Sequence, residues 1–354
     1  MKVTQTDIAN HLNISRLTVS KALNNEYGVS DHTRKLVLRA AEELGYNKLR
    51  KKQMGLSHQG IQKRNRRGSR SHKQISLFLN LGLDSDSYWA PVIRGLTTIL
   101  SAYGYNLNLC FLTTANGEHV DFPMNFQADE TDGIIQFGNF KRHQIDQLMN
   151  TGLPMVSIDK TMDGGESDLF CDTIMNINMD PMARMVKHLV ECGYKRIGYA
   201  CEKVSQLTMH ERWLGYLQGM KEAGLEINAR DCFFGEFSEI INQIEAERRL
   251  DHLADFPDAI MCYNDMQAIA FMQYFQKHHI KIPDMIALTG CDNVSQSAVA
   301  DLTTVNVNKE ELGMCAAELI LWRIENPDRP YRMVRLYDYE LIMRGTTKCL
   351  TSGP

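Results

Sequence analysis

Apolar residues near the start of the chain recur three or four positions apart, which predicts three short amphipathic helices. Thr4 and Asp7 have the spacing of a capping box, Ser15 is placed to cap a second helix over Arg16–Leu23, and Ser30 is placed to cap a third. Two short helices joined by a tight turn, the second with a polar outer face, are typical of a helix-turn-helix. The predicted inward-facing residues are Ile8, Ala9, Leu12, Val19, Ala22, Leu23, Val37, Ala40, Ala41 and Leu44.

From Ile75 onward, short apolar runs alternate with amphipathic stretches. This alternation predicts parallel sheets, and two consecutive sets predict an α/β fold with two doubly wound lobes. Ligands of such folds bind beyond the carboxyl ends of the strands, here in the cleft between the lobes. The predicted strands are Ile75–Leu81, Leu107–Leu112, Gly133–Phe137, Met155–Ile158, Arg196–Ala200, Cys232–Phe234, Ala259–Cys262 and Met285–Leu288. The predicted helices are Val92–Tyr103, Gln144–Thr151, Met182–Cys192, Glu211–Ala223, Ile240–Leu253 and Met266–His278.

Charge is distributed unevenly between these two parts. Residues 1–74 hold 16 Lys and Arg against 5 Asp and Glu, whereas residues 75–354 hold 23 against 38. A small basic head on a large acidic body predicts that the head meets a polyanion and the body does not. Together with the predicted elements, this divides the chain into a helix-turn-helix head (residues 1–46), a basic linker (47–74) and a two-lobed body (75–347).

Several classes of protein do not fit the sequence. No run of about 18 apolar residues predicts a membrane span, and the N-terminus lacks the apolar stretch of a signal peptide. The 9 cysteines are scattered without a C-x-x-C pair, so no disulfide framework or zinc site is predicted, and a reduced, cytoplasmic protein is expected. We find no hydrolase, zinc-protease, phosphate-loop or dinucleotide motif, so neither an enzyme nor a cofactor is predicted.

The head contains the motifs Val3–Ala9, Ile14–Asn24, Val29-Ser30, Thr33-Arg34, Ala40-Ala41 and Leu44-Gly45-Tyr46. In these motifs it resembles the DNA-binding domain of the lactose/galactose repressor (LacI/GalR) family of bacterial transcriptional regulators. In this resemblance the second helix enters the major groove, where Arg16 reaches a guanine edge and Leu17 contacts a thymine methyl. The other candidate DNA-binding residues, mostly suited to phosphate contacts, are Thr4, Ser15, Thr18, Ser20, Lys21 and Asn24.

The linker departs from the family pattern. Lys48 stands where the family has proline, and the stretch 48–73 carries 10 Lys and Arg, with no Asp or Glu between Asn47 and Leu83. One interpretation keeps Leu56, or Met54, as an apolar wedge in the minor groove. The other, which we favour, is a disordered basic tether that adds phosphate contacts independent of sequence.

The body carries further landmarks of the same family. Cys291, where an aromatic residue is usual, and Asn308, where proline is usual, are departures from the pattern. The matching segments are Asp132–Ile135, Leu153–Asp159, His188-Leu189, Gly193–Ile197, Arg212–Tyr216, Tyr263–Asp265, Gly290–Asn293, Leu302–Val305 and Arg344–Thr347.

The resemblance implies an effector site between the lobes. Arg212, Asn264 and Asp292 match positions that line the family's effector cleft, and their donors and acceptors suit the vicinal hydroxyls of a sugar. Tyr88 and Trp89 follow the first strand and are expected to stack on a pyranose ring. The competing interpretation of each polar residue is ordinary hydrogen bonding within a loop.

Asp159 is the candidate from the facing lobe. It follows the strand Met155–Ile158, so its side chain is expected to point into the same cleft. Lys160 stands beside it where many relatives of the family have arginine, and the sequence leaves its role open.

These observations predict a sequence-specific, homodimeric repressor. Its partners are expected to be a pseudo-palindromic DNA operator and a saccharide effector that changes the angle between the lobes, with no membrane involved. The alternatives are a non-specific DNA binder driven by the linker and a sugar-binding module without a regulatory role. Whether the effector releases DNA or tightens binding is left open.

Overall fold

The chain divides into two compact units, Met1–Arg70 and Ser71–Pro354. The computed structural model describes residues 4–12, 14–23, 33, 36–37, 39–41, 44, 72–80, 86–112, 122–138, 140–162, 169–202, 206–247 and 256–349. The predicted linker lies almost wholly outside these residues, as do Asn24 and the proposed wedge Leu56.

The described part of the first unit is a small helical head. Helix α1 spans Gln5–Leu12 and α2 spans Arg16–Leu23, as the apolar spacing predicts. A third helical segment includes residues 36–37 and 39–41. The buried core confirms the predicted inward faces and consists of Ile8, Ala9, Val19, Ala22, Leu23, Val37, Ala40 and Ala41, with Leu12, Ile14 and Leu44 packed against it.

Of the three predicted caps, those at α1 and α2 are present, whereas Ser30 lies outside the described residues. The backbone N–H and the hydroxyl of Thr4 donate to the Asp7 carboxylate, each at 2.7 Å. These hydrogen bonds lower the pKa of Asp7 because they stabilise the charged carboxylate. At α2, the Ser15 hydroxyl accepts a hydrogen bond from the Thr18 backbone N–H at 3.0 Å, which satisfies one of the orphan donors of the first turn.

The N-terminal lobe of the body is built on a six-stranded parallel sheet in the order β11-β5-β4-β3-β1-β2. Its strands are β1 (Gln74–Asn80), β2 (Asn106–Phe111), β3 (Gly133–Gly138), β4 (Met155–Ile158), β5 (Asp172–Asn176) and β11 (Met333–Leu336). Its helices are α3 (Asp86–Ala102), α4 (Arg142–Met149) and α10 (Lys309–Glu325).

The C-terminal lobe repeats this plan with the strand order β12-β10-β9-β8-β6-β7, in which only β12 is antiparallel. Its strands are β6 (Ile197–Cys201), β7 (Cys232–Phe234), β8 (Ala259–Cys262), β9 (Ala287–Asp292), β10 (Thr303–Val307) and β12 (Tyr339–Ile342). Its helices are α5 (Met179–Glu191), α6 (Leu207–Glu222), α7 (Phe237–Glu247), α8 (Asp265–Lys277) and α9 (Ser295–Val299).

The backbone passes between the lobes three times. The crossovers follow β5, β10 and β11, and they lead into α5, α10 and β12 respectively. Each lobe therefore contains segments that are distant in sequence. Because the strand that enters each crossover ends at the cleft, residues at these points lie close to any site between the lobes.

Close helix packing covers the apolar face of the N-terminal sheet. A Cβ on Gly95 of α3 would lie 2.0 Å from the Glu310 carbonyl oxygen, and one on Gly313 of α10 would lie 2.0 Å from the Val92 carbonyl oxygen. Only glycine permits the two backbones to approach this closely. The buried side chains of both helices, such as Leu96 and Ile320, then join one core with the sheet.

The elements agree with the predicted α/β alternation, and β4, β7 and β8 have the predicted bounds. Strands β5 and β10 were not predicted, because buried polar residues such as Asp172 and Thr303 hide them. Helix α10 was not predicted either; its apolar residues cover most of its circumference, since it is buried against both the sheet and α3.

The cysteine prediction needs one correction. Cys192, at the end of α5, forms a disulfide with Cys349, whereas the other seven cysteines are free. These two residues are 157 positions apart, so their pairing depends on tertiary proximity that the cysteine spacing does not show. Among the described helices, none has the length and apolar character needed to cross a membrane.

Candidate functional site

Helix α2 presents the predicted DNA-binding residues on one side of the head. Arg16 is exposed at its first turn, and Ser20 and Lys21 are partly exposed, whereas Val19 is buried beneath them. Ser15 and Thr18 also serve the cap, with their hydroxyl oxygens 2.8 Å apart. The side chain of Leu17 and the whole of Asn24 lie outside the described part of the chain. Thr4 is exposed at the start of α1.

A buried ion pair forms the centre of the C-terminal half of the cleft. An Nη atom of Arg212 donates to Asp292 Oδ1 at 2.6 Å, and the other donates to the Tyr263 carbonyl oxygen at 2.6 Å. The Arg212 side chain is 6% exposed and that of Asp292 is 13% exposed. Burial alone would lower the pKa of Arg212, but the charge and hydrogen bond of Asp292, together with the neighbouring Cys291 and Tyr88, outweigh burial and raise the pKa. Arg212 therefore remains charged.

Asp292 is the last residue of β9 and is held in an unusual backbone conformation. Asp292 and Asn293 have φ angles of +113° and +47°, in the region that favours glycine. The buried Asp265 carboxylate fixes the segment that follows, accepting a hydrogen bond from the Val294 backbone N–H at 2.9 Å. Lys309 of α10 donates to the Asp292 carbonyl oxygen. Strain held in place in this way is common at binding sites.

Asp159 faces this pair from the N-terminal lobe. It follows β4 with a φ angle of +66°, and its Oδ1 accepts a hydrogen bond from the Thr208 hydroxyl of α6 at 2.7 Å. Burial raises the pKa of Asp159 because the charged carboxylate loses hydration, whereas Thr208 and Arg212 act in the opposite direction. The predicted position of Asp159 at the carboxyl edge of the sheet agrees with the structure.

The two predicted aromatic residues occupy the first turns of α3. Burial raises the pKa of Tyr88, and the nearby charges of Asp159 and Asp292 raise it further. Tyr88 packs against the cores of both lobes, with Lys309 Nζ 5.9 Å from its ring centroid. Trp89 packs against Phe137 at a centroid distance of 3.8 Å, and its buried Nε1 has no hydrogen-bond partner among the described residues.

Asn264 lies beside the Arg212 contact at the end of β8. Its Oδ1 caps α8 by accepting a hydrogen bond from the Gln267 backbone N–H at 2.9 Å. Arg212 is placed differently from the prediction, in the second turn of α6 and not at its start, because α6 begins at Leu207. Even so, the structure brings Tyr88, Asp159, Arg212 and Asp292 together.

Sequence reasoning missed several residues that complete this cleft. Thr208 donates to the Asp159 carboxylate and Lys309 to the Asp292 carbonyl oxygen. Glu211 and Asn178 lie next to Arg212. Of these residues, only Glu211 and Thr208 could have been predicted from the local sequence, because they are polar residues close to Arg212 on the same helix. In the described ranges, no group of three or more His, Cys, Asp or Glu side chains is arranged to hold a metal ion.

The structure combines two features that together define a class of protein. One is a helix-turn-helix with an exposed second helix, and the other is a two-lobed body whose interior cleft is lined by charged and aromatic groups. Residues 4–48 match the bacterial regulatory proteins of the lacI family, and residues 186–347 match the periplasmic binding protein-like domain. The chain therefore carries a DNA-binding domain of the LacI family and a periplasmic binding protein-like domain, and it is a DNA-binding transcriptional regulator whose body is of the effector-binding type.

Relatives match along nearly the whole chain. The HTH-type transcriptional repressor PurR of Photobacterium profundum is 26% identical over 348 residues, covering 97% of this chain and 98% of the relative. PurR of Pasteurella multocida is 27% identical over 352 residues, covering 97% and 98%.

Two solved structures share the fold. A complex of the transcriptional regulator CelR with cellobiose has a TM-score of 0.65 at 19% identity, covering 98% of this chain and 100% of that one. The lac repressor dimer bound to operator and the anti-inducer ONPF has a TM-score of 0.61 at 17% identity, with the same coverage.

Proposed function

We propose that this protein is a homodimeric repressor that binds a pseudo-palindromic operator, with its DNA affinity controlled by a saccharide in the cleft between its lobes. The observation that carries the proposal is the meeting of Asp159 with Arg212 and Asp292 around Tyr88, since the two lobes contribute opposite walls of one polar and aromatic site. The relatives supply the rest: a repressor by name, a lac repressor dimer on its operator, and a regulator in complex with cellobiose.

The chemistry of the cleft suits a neutral, hydroxyl-rich ligand. Carboxylates accept hydrogen bonds from vicinal hydroxyls, and the Arg212 fork donates to ring or hydroxyl oxygens. The ligand would take over part of the contact between Arg212 and Asp292, and the Tyr88 and Trp89 rings would cover an apolar sugar face. Asn264 contributes from its position beside Tyr263. These groups bind a ligand and do not form a nucleophile with a base, so we infer that the protein is not an enzyme.

The head is proposed to read the operator through α2. Arg16 and Leu17 would contact base edges, while Thr4, Ser15, Thr18, Ser20, Lys21 and Asn24 would mainly contact phosphates. Leu56 remains the proposed minor-groove wedge if the linker forms a hinge; the favoured interpretation of the linker remains a basic tether. Such a regulator would act in the bacterial cytoplasm, where the DNA lies.

The DNA half of the proposal is tested by selection from random duplex DNA with the full-length protein at about physiological salt. We expect an enriched palindrome, and we expect Arg16→Ala to relax the base preference at one position in each half-site by about 1–3 kcal/mol. Lys2→Ala, a charge change outside α2, is the matched control. Recovery of no preferred sequence would refute the operator and support a non-specific binder.

The effector half is tested by calorimetric titration with mono- and disaccharides, including cellobiose, and with purine bases. We expect a sugar to bind and to change the affinity for the selected duplex. Asp292→Asn is expected to weaken that sugar by about tenfold or more, since a charged hydrogen bond contributes about 1.5–3 kcal/mol. Binding of a purine base and of no sugar would refute the saccharide assignment.

A further inference from the structure

A second ion pair joins the two lobes directly behind the proposed effector site. Glu211 lies in α6 of the C-terminal lobe, and Arg335 lies in β11 of the N-terminal sheet. The Arg335 guanidinium holds the Glu211 carboxylate with two contacts, Nη1 to Oε2 at 2.9 Å and Nη2 to Oε1 at 2.6 Å. The Glu211 side chain is 9% exposed and that of Arg335 is 31% exposed. The pair is therefore largely shielded from water and well oriented.

The same carboxylate is tied to the crossovers between the lobes. Asn178, which lies in the crossover after β5, donates through its Nδ2 to Glu211 Oε2 at 3.1 Å. The backbone N–H of Ile177 donates to the carbonyl oxygen of Leu336, the last residue of β11, at 2.9 Å, which extends the pairing of β5 with β11 to the start of this crossover. Glu211 thus contacts one crossover and the strand that leads into another. A rotation of the lobes about these crossovers would change both contacts.

These contacts are directly connected to the proposed effector site through Arg212. Arg212 follows Glu211 in the chain, and its Nε donates to Asn178 Oδ1 at 3.4 Å. Two adjacent residues of α6 therefore have different tasks: Glu211 binds the opposite lobe, and Arg212 faces the cleft. The start of α6 meets the N-terminal lobe as well, where the Leu207 backbone N–H donates to the Lys160 carbonyl oxygen at 2.8 Å.

We propose that Glu211 and Arg335 are positioning residues: their ion pair holds α6 against the N-terminal lobe, sets the angle between the lobes, and thereby places Arg212 in the cleft. The inference that this angle governs the effector response depends on the proposed function. The inference that the ion pair sets this angle does not depend on the proposed function, because it concerns the protein without effector or DNA. A carboxylate buried this deeply needs its partner, so loss of Arg335 leaves Glu211 an uncompensated charge between the lobes.

The test is amide hydrogen exchange of the full-length protein, without DNA or effector, read by mass spectrometry. Glu211→Gln and Arg335→Gln are expected to speed exchange about tenfold at two N–H groups. That of Leu207 bridges the lobes, and that of Ile177 holds the start of the crossover after β5 to the end of β11. Exchange in the interior strands β3 and β8 is expected to stay unchanged. Glu191→Gln, which removes an exposed ion pair with Lys187, is the matched control and leaves all four regions unchanged.

The charge reversal Glu211→Arg with Arg335→Glu is expected to restore slow exchange, which a general loss of stability would not allow. Should the reversed pair not fold, Arg335→Lys provides the second test, since it keeps the charge and is expected to speed exchange less than Arg335→Gln. Unchanged exchange at Leu207 and Ile177, or equal acceleration in β3 and β8, would overturn the proposal. A protein that binds no effector but shows the expected exchange refutes the proposed function and leaves the positioning role intact.

Discussion

Each lobe of the body contains a buried arginine–aspartate pair, and the two pairs occupy opposite ends of their sheets. In the N-terminal lobe, Asp172 binds Arg323 at 2.6 Å, with side-chain exposures of 0% and 3%. In the C-terminal lobe, Asp292 binds Arg212 at the same distance. Asp172 is the first residue of β5, whereas Asp292 is the last residue of β9. Only the second pair therefore lies at the carboxyl edge, where ligands of such sheets bind.

The partners of the two arginines show the same division. Arg323 donates its remaining N–H groups to backbone carbonyls of its own loop, those of Asn326, Pro327, Arg329 and Pro330. These hydrogen bonds close the loop that follows α10, and the described contacts of Arg323 all lie within the N-terminal lobe. Arg212 instead contacts Asn178 at a crossover and lies close to Asp159 across the cleft. Burial and charge pairing alone thus do not identify a ligand site. A position at the carboxyl end of the strands, together with contacts to the facing lobe, distinguishes the Arg212 pair from the Arg323 pair.

The largest expected effect comes from Asp172→Ala. It leaves the Arg323 guanidinium buried without its counterion, which costs about 3–5 kcal/mol in the free energy of unfolding. Urea unfolding measures this loss. Asp146→Ala, which removes an exposed pair with Arg142, is the control and is expected to cost less than about 1 kcal/mol. A loss for Asp172→Ala no larger than that of this control would mean that the core pair is not structural.

Asp292→Ala is expected to cost less, about 2–3 kcal/mol, because Asp292 is partly exposed and Arg212 keeps the Tyr263 carbonyl. Unlike Asp172→Ala, it is expected to abolish the effect of the effector on DNA binding. Urea unfolding and DNA titration with and without the effector check both parts. If the two variants lost equal stability and both retained the effector response, the comparison between the pairs would fail.

Thr208→Val tests the contact across the cleft. It removes the hydroxyl that Asp159 accepts from and keeps the side-chain shape, so we expect a loss of about 1 kcal/mol near neutral pH. Thr208→Ser retains the hydroxyl and is expected to restore most of that loss. Thermal or urea unfolding of both variants provides the measurement, and equal losses for Val and Ser would contradict a role for the hydroxyl.

The smallest expected effect is the pH dependence of Asp159→Asn. In the folded wild-type protein burial raises the pKa of Asp159 above its ordinary value of 3.8, so the folded state holds a proton that the unfolded state has released. This contribution to stability is complete below pH 3.8 and is lost as the pH rises through the folded pKa. Asparagine does not titrate. The variant should therefore gain stability relative to wild type between acid and neutral pH.

Urea unfolding of both proteins at several values between about pH 4 and 7 measures this difference, in which the other carboxylates largely cancel. A difference that stays constant, or that favours wild type as the pH rises, would contradict a raised pKa at Asp159. The same series with Asp284→Asn, an exposed residue whose pKa is lowered by Lys348, is expected to slope in the opposite direction.

The periodic spacing of apolar residues made much of the fold predictable. The bounds of α2 and of β4 follow from local spacing, because a buried face imposes its period on the sequence. Strand β10 was missed since Thr303 and Thr304 are buried, and their hydroxyls are satisfied by Thr347 and Asp265 from elsewhere in the chain. From local sequence alone a polar residue in a strand is predicted to be exposed, because its hydrogen-bond partner lies elsewhere in the chain.

Neighbouring residues encode the helical head, the basic and acidic halves, the α/β alternation and the family motifs, so each of these could be predicted from the sequence. Which residues meet across the fold depends instead on the tertiary structure. Asp159, Arg212 and Asp292 are far apart in the chain and converge because parallel strands end at a common edge and the crossovers bring the two edges face to face. The pairings of Glu211 with Arg335 and of Cys192 with Cys349 likewise depend on distances that local sequence does not contain.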